Sequence, residues 1–278
     1  MKTRMEQTLA LMSATGITEE PFGLYYSNNL PNTAYGPQPG PALTREMEEH
    51  GGIDLASALR NFSCLMGNVW LARKKKTAAY ISAKEFGCFG GSYYCGFLPQ
   101  HLRLQENYVS TGKSGTPLHG ERYISSPEAM CRFLEDLAPP PAPARYCILK
   151  PLSHFNDDEA PEFITFFARM ESITGLQTMV YFVTGDYSAV EVKFGSACAH
   201  MVSWPRTFAV QGQQRAVLGG CDPSARKFMK TDEILLTIPL GMYDNMLTSM
   251  PESLLGTKTW ENVMKKVNRS NMAWNETK

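Results

Sequence analysis

Residues 87–96 (GCFGGSYYCG) are the part of this sequence whose residue types are best suited to chemistry. They directly follow a short β-branched and aromatic run. A cysteine thiolate binds metals or attacks carbon, and glycine lets the backbone turn sharply and approach a bound group. We therefore expect a binding site here. In this site Gly90 and Gly91 make room beside Cys88, and Tyr93 lies against the bound group.

The other cysteines decide which chemistry this segment supports. Of the seven in the chain, Cys131 and Cys147 lie among apolar neighbours in a predicted helix and a predicted strand, where a thiol behaves as a small hydrophobe. The compact spacings of zinc sites and ferredoxins do not occur. For each of the other five cysteines, a role as a buried structural thiol is as good an explanation as a role as a metal ligand. These five are Cys64, Cys88, Cys95, Cys198 and Cys221.

The five histidines are scattered, without the spacing of a metalloprotease. His200 follows Cys198 by two residues, so the two side chains share a face if the segment is extended and point apart if it is helical. A nucleophilic Cys88 or Cys198, with His200 or His154 as the base, is therefore one alternative.

A glycine turn with charged residues occupies 219–226 (GGCDPSAR), and Asp232 and Glu233 follow it. A bidentate contact from Arg226 to one of these carboxylates, or to that of Asp222, would lock the loop, whereas an exposed Arg226 would hold an anionic ligand. Structural pairing is the default interpretation.

The hydrophobic pattern places these residues on alternating elements. Apolar residues recur at helical spacing over 54–73, and the basic residues 73–76 suit the carboxyl end of that helix. Strands are predicted at 21–27, 77–82, 146–149, 163–167, 189–194, 216–218 and 234–238. Helices are predicted at 1–18, 126–137, 171–183, 243–250 and 260–267, with the last ten residues frayed. This order predicts an α+β or mixed α/β fold with sheets flanked by helices.

A proline-rich connector at 139–143 is the best boundary, dividing residues 1–138 from 139–278 within one compact unit. Each half also runs strand, helix, strand and then cysteine, ending at Cys88 and at Cys198. This repetition predicts two pseudo-symmetric halves, whose pseudo-twofold axis would bring those two cysteine loops together.

Composition restricts the partners. The 278 residues include 27 basic and 27 acidic side chains, so the broad positive field of a nucleic-acid-binding protein is missing. A signal peptide and the roughly 20-residue apolar stretch of a membrane span are not found. We expect a cytoplasmic protein that binds neither nucleic acid nor membrane, in which cysteines serve as thiols or metal ligands.

Several blocks together resemble the DUF169 family between about residues 20 and 250: 88–91 with Gly96, 161–167, 195–198, 220–226, 232–233 and 238–239. This family has no assigned function, so the resemblance implies a shared fold and shared cysteine and glycine positions. Its members tend to carry cysteine where Cys64, Cys88 and Cys198 stand, which favours these three. The chain departs from the family's Gly-Asp-Arg pattern, because residues are inserted between Asp222 and Arg226.

Three functions follow. In the first, Cys64, Cys88 and Cys198 hold an iron–sulfur cluster or another metal, the remaining position is open or filled by substrate, and the protein has a redox or lyase-type role on a small molecule. The second is a small-molecule-binding module without catalysis, with Tyr93, Tyr94 and Trp204 lining a pocket. The third is the nucleophilic cysteine.

Overall fold

A computed structural model describes most of the chain and places its strands in a mixed sheet. The described residues are 3–37, 45–51, 63–82, 88–112, 120–156 and 158–276. Within them, eight strands form one sheet in the order β2-β3-β4-β1-β5-β8-β7-β6. The strands are β1 Phe22–Ser27, β2 Ala34–Tyr35, β3 Ala78–Ser82, β4 Tyr146–Pro151, β5 Phe163–Arg169, β6 Val190–Val192, β7 Ala216–Gly219 and β8 Glu233–Pro239.

Helices cover both faces of this sheet. They are α1 Arg4–Thr15, α2 Arg45–Glu49, α3 Leu65–Lys75, α4 Phe89–Tyr94, α5 Arg103–Val109, α6 Pro127–Leu137, α7 Met170–Thr184, α8 Trp204–Val210, α9 Pro223–Arg226, α10 Leu240–Ser249 and α11 Lys258–Glu276. A π-helical turn, Ala199–Ser203, leads directly into α8. The α+β class predicted from the sequence is confirmed.

The central strands are buried on both faces, as their nearly continuous apolar sequences require. In β5, Phe163 and Phe167 pack in the core beneath α3, α4 and the π-helical turn. The alternate residues Ile164 and Phe166 pack in the core beneath α1, α7 and α10. Alternate side chains of β5 thus point to opposite faces of the sheet and pack in two separate cores.

The strand order is the same when read from either edge of the sheet. The central neighbours β1 and β5 are antiparallel, each pairs antiparallel with the last strand of its own half, and each half ends in a parallel pair. A pseudo-twofold axis normal to the sheet therefore passes between β1 and β5. The sequence prediction of two pseudo-symmetric halves is confirmed at the level of topology.

The residues that correspond in the two halves differ from those predicted. Because β6 corresponds to β2 and β7 to β3, the helix after β6 corresponds to α3, and the turn after β7 corresponds to the turn after β3. Cys198 is therefore the counterpart of Cys64, whereas Cys88 corresponds to Asp222. The pairing of Cys88 with Cys198 was wrong because it matched β6 to β3 and skipped a strand.

The division between the halves also falls later than residue 138. Strand β4 lies beyond that residue but pairs with β1 and β3. The topological halves are thus residues 22–151 and 163–239, joined by the antiparallel contact of β1 with β5. The proline-rich segment connects α6 to β4 inside the first half.

Two local predictions are corrected. The helix expected over 54–73 begins at Leu65 in the structure, with Cys64 as its N-cap, while residues 52–62 lie outside the described part. Part of the cysteine and glycine segment expected as a loop is the short helix α4. Two glycines do not prevent a helix whose aromatic residues Phe89, Tyr93 and Tyr94 are buried, because packing outweighs propensity.

The basic run at the end of α3 has one buried member. The Arg73 side chain is only 7% exposed, donates to Glu233 at 2.8 Å, contacts Glu19 and lies over the Phe167 ring. The Glu233 carboxylate is itself 3% exposed and also contacts Lys230. This ion pair joins α3 of the first half to β8 of the second.

None of the helices in the described part of the chain combines the length and the apolar character needed to cross a membrane.

Candidate functional site

A cavity of about 520 Å³ lies between the two halves, on the α3 face of the sheet. Its lining includes Cys64, Cys88 and Cys198, which come from three separate elements. Cys198 is buried, and the other two are half-buried. Cysteines from distant parts of the sequence therefore converge on one cavity.

Each of these cysteines lies at the amino end of a helical segment. Cys64 is the N-cap of α3, and Cys88 is the N-cap of α4 and accepts a hydrogen bond from the Gly91 N–H at 3.3 Å. Cys198 lies in the first turn of the helical segment that continues through the π-helical turn. Backbone N–H groups and helix dipoles at such ends favour negative charge, so the cavity is suited to thiolates or to an anionic group.

In the metal-free protein the three thiols are protonated at neutral pH. Burial, and next the negative charge that Cys64 would carry, raises the pKa of Cys88 to about 12. Burial also raises the pKa of Cys198, with further increases from Cys64, Cys88 and Asp222. The same burial raises the pKa of Cys64 although the N–H groups of Gly67 and Met66 oppose it. An activated thiolate for nucleophilic catalysis is therefore not found among these three.

The spacing of the sulfurs distinguishes between kinds of metal centre. Within the described residues, the three sulfurs do not all lie within 4.8 Å of one another. A tetrahedral zinc ion with Zn–S bonds of about 2.3 Å would need sulfurs about 3.8 Å apart. In this conformation the three sulfurs therefore do not surround a single ion, whereas the cavity has room for a polynuclear group, in which each thiolate binds a different metal atom.

Three polar side chains of the lining have buried atoms without a well-formed hydrogen bond in the described part of the chain. They are both amide atoms of Gln105, the Ser196 hydroxyl and the Asp222 Oδ1 atom. Gln105 is only 1% exposed. Buried polar atoms are normally paired, so these atoms indicate that the cavity receives a polar or charged ligand.

Asp222 occupies the fourth pseudo-equivalent position around the cavity. As the N-cap of α9 it uses Oδ2 to accept from Ser224 Oγ at 2.6 Å and from the Ala225 N–H at 3.1 Å, which leaves Oδ1 unpaired. The pseudo-twofold axis relates Cys64 to Cys198 and Cys88 to Asp222. The cavity therefore presents three thiols and one carboxylate at four related helix ends.

Arg226 holds the loop that carries Asp222, but not through a carboxylate as predicted. Its guanidinium donates to four backbone carbonyl groups, those of Gly220, Lys230, Thr231 and Glu233, at 2.7 to 3.2 Å. Carbonyl oxygens that face inward from the turn provide the acceptors, and Glu233 is already engaged by Arg73. Arg226 thus has a positioning role.

The predicted cofactor-binding residues of α4 lie in different places. Gly90 and Gly91 line the cavity, and a Cβ atom added at Gly90 would lie 3.8 Å from the Cys88 sulfur and 3.5 Å from the Gln105 amide nitrogen. Tyr93 does not line it: its hydroxyl donates to the Leu134 carbonyl at 2.7 Å in the core. One helical position further, Tyr94 forms the wall instead.

The histidines do not act as bases toward the cavity cysteines. His200 Nε2 donates to the Lys193 carbonyl at 2.8 Å, and Nδ1 accepts from the Gly220 N–H at 3.4 Å. Burial lowers its pKa, so the ring is neutral and both nitrogens are engaged. His154 is exposed and does not line the cavity. The geometry argues against the nucleophilic cysteine with either predicted base.

His200 instead fixes the cavity wall, and Gly219 is the residue that allows this. A Cβ atom added at Gly219 would lie 2.2 Å from His200 Cγ. We expect Gly219→Ala to lower the free energy of unfolding by about 1–3 kcal/mol, because the held ring has no space to move. Denaturant titration measures this change.

The matched control is Gly241→Ala, where an added Cβ meets no atom within 4 Å in the first turn of α10. This variant should be neutral or slightly stabilising, since alanine is the better helix former. Equal stabilities of the two variants would contradict the proposed contact.

Two further cysteines do not lie at helix ends inside the cavity as Cys64, Cys88 and Cys198 do. Cys95 is buried in the core, and Cys221 is the exposed thiol at the cavity rim. Trp204 donates to the Phe194 carbonyl at 2.9 Å and stacks on Phe208, outside the lining. Sequence reasoning did not single out Gln105 and Ser196. No local signal marks Gln105, because the helix that carries it is mostly polar (RLQENYV).

A mixed sheet with pseudo-twofold topology and a cavity lined by cysteines at helix ends defines an α+β protein with a thiol-rich cavity. The chain belongs to the DUF169 family, described as an uncharacterised ArCR family, which matches residues 10–249. Neither a curated protein nor a solved structure matches it.

Proposed function

We propose that Cys64, Cys88 and Cys198 bind an iron–sulfur cluster in this cavity, and that the protein performs a redox or lyase-type reaction on a small molecule bound beside it. The observation that carries this proposal is the convergence of the three cysteines on one cavity. Such a cluster supplies electron transfer and, at an iron without cysteine, Lewis acidity.

The surroundings of the sulfurs support a cluster. The sulfurs do not all lie within 4.8 Å of one another in the described structure, and the Gly91 N–H already donates to the Cys88 sulfur. Backbone donors of this kind stabilise thiolates and sulfides, and they tune the potential of iron–sulfur centres. Gly90 leaves space directly beside Cys88.

Asp222 is proposed to face the cluster position that no cysteine fills. Its Oδ1 atom is buried and unpaired, while Oδ2 is fixed by the cap of α9. Gln105 and Ser196 then orient the small molecule, and Tyr94 excludes water from one wall. These roles use all the unpaired polar atoms of the lining.

Anaerobic purification followed by reconstitution with iron and sulfide tests the proposal. The wild-type protein should contain equal amounts of iron and sulfide and should absorb in the visible range. Asp222→Asn should retain the α9 cap, because asparagine caps as well as aspartate, but should lose its cluster faster in air. Asp222→Cys should hold it at least as long as the wild type.

Asp232→Asn is the matched control, since this exposed carboxylate lies in the same loop region but does not line the cavity. A folded wild-type protein that stays colourless and iron-free after reconstitution would contradict the cluster.

The second candidate is a small-molecule-binding module without a cluster. The observation that favours it is the buried Gln105 amide, whose donor and acceptor atoms make no well-formed hydrogen bond in the described part of the chain. An amide presents the two complementary groups that a polar organic ligand can pair with. An iron-free, folded protein whose stability is unchanged by serine at the three cysteines would favour this function.

A further inference from the structure

A second group of metal-ligand side chains lies outside the cavity, between α5 and α6. His101 precedes α5, Glu106 lies on α5, and Cys131 lies on α6. Among the described residues, one ligand atom from each of these three lies within 4.8 Å of the other two. From the sequence alone, Cys131 is expected to be a small hydrophobe in the core.

The distances fit one ion. His101 Nε2 lies 2.8 Å from Glu106 Oε1 and 3.8 Å from the Cys131 sulfur. Zinc bonds of about 2.0–2.3 Å to nitrogen, oxygen and sulfur place tetrahedral ligand atoms about 3.3–3.8 Å apart. Small side-chain rotations would therefore bring all three atoms around one centre.

We propose that His101, Glu106 and Cys131 bind a borderline transition-metal ion such as Zn²⁺. Imidazole, carboxylate and thiolate together form a donor set typical of zinc. The His101 and Glu106 side chains are 12% and 15% exposed, so they are largely preorganised but accessible.

The geometry distinguishes a metal site from a catalytic triad. In a triad the histidine uses one nitrogen toward the cysteine and the other toward the acid. Here Nε2 of His101 faces both Cys131 and Glu106. Donors that converge on a single point are the arrangement that an ion requires.

A fourth ligand is available on the exposed side. Glu135 Oε1 lies 3.5 Å from the Cys131 sulfur, one turn further along α6. This carboxylate or a water molecule would complete the tetrahedron. The ion would join α5 to α6 behind α4, since the His101 ring packs edge-on against Tyr93 at 5.5 Å.

Cobalt titration of the metal-stripped, full-length protein tests this site. Co²⁺ bound to a thiolate gives a charge-transfer band in the near ultraviolet and tetrahedral bands in the visible range. We expect the wild type to bind one more equivalent of Co²⁺ than Cys131→Ser, and Zn²⁺ to displace it. His101→Gln and Glu106→Gln should each weaken binding by about 100-fold or more, beyond the usual loss of an outer-sphere partner.

Cys221→Ser is the matched control, because this exposed thiol should leave the additional equivalent unchanged. Any cobalt bound at the cavity cysteines would remain in all these variants. It would therefore not produce the loss of one Co²⁺ equivalent that is expected for Cys131→Ser. Circular dichroism verifies that each variant is folded. Equal cobalt stoichiometry and equal bands in the wild type, Cys131→Ser and Glu106→Gln would overturn the proposal.

Discussion

Serine substitution of Cys64, Cys88 or Cys198 is expected to reduce the iron and sulfide recovered after anaerobic reconstitution by about 10-fold or more. An alcohol oxygen does not replace a thiolate as a ligand, since it stays protonated at neutral pH. The effect should be largest for Cys88, which caps α4 and lies beside Gly90 and Gly91. Visible absorption and iron analysis measure the loss.

The control for this series is Cys221→Ser, because this thiol lines the same cavity but is exposed at its rim. It should retain wild-type iron. A uniform loss across all four variants would indicate general destabilisation instead of ligand removal, and full iron content in the three variants would refute ligation by these cysteines.

Among the substitutions considered, removal of the Arg73 side-chain charge is expected to cause the largest decrease in the free energy of unfolding. In Arg73→Met the Glu233 carboxylate, 3% exposed, loses its buried partner. Breaking a buried ion pair by removing one member costs about 3–5 kcal/mol when the other charge is left uncompensated, and the exposed Lys230 offsets little of this charge. Denaturant titration at pH 7 measures this change.

Lys230→Met provides the matched control. Lys230 contacts the same carboxylate at 3.1 Å, but its side chain is 66% exposed. Exposed pairs contribute about 0–1 kcal/mol, so this variant should be nearly neutral. The double variant Arg73→Met with Glu233→Gln should recover part of the loss, because both charges are then gone. Equal losses from Arg73→Met and Lys230→Met would contradict the buried pair.

The pH dependence has a definite sign. Burial alone would raise the pKa of Glu233, but hydrogen bonds and charge from Arg73 hold it below its ordinary value. The stability it contributes is therefore present above the unfolded pKa of about 4.3 and lost as the pH falls through the lower folded value. In Arg73→Met the carboxyl group loses the contacts from Arg73 that lower its pKa, so burial should shift that pKa upward and protonation should relieve the destabilisation. The difference in free energy of unfolding between the wild type and Arg73→Met should therefore decrease as the pH falls from 7 toward 4.

The sequence contained the element types and the candidate ligands. Nearly continuous apolar runs identified β5 and β8, because strands between two cores must be apolar on both faces. The sequence predicts Cys64, Cys88 and Cys198 as the ligands, and all three line the cavity. Local chemistry and family resemblance were sufficient for that choice.

Element boundaries around the site were harder to predict. The apolar pattern of 54–73 begins well before Leu65, where α3 starts. It therefore gave no sign that Cys64 is the N-cap of this helix. The glycines of α4 suggested a loop, although burial of its aromatic residues stabilises a helix there. Tyr93 and Tyr94 are adjacent, so only the helical phase decides which of them reaches the cavity.

Residue types, periodicity and composition, with the family resemblance, were thus enough to predict the α+β class, the paired halves and the three cysteines that line the cavity. The true correspondence between the halves depended on strand order, which is set by long-range pairing and leaves no local trace in the chain. That order makes Asp222 the counterpart of Cys88 and brings four helix ends to one cavity. Convergence of distant residues is a property of packing, so only the tertiary structure reveals the carboxylate among the thiols.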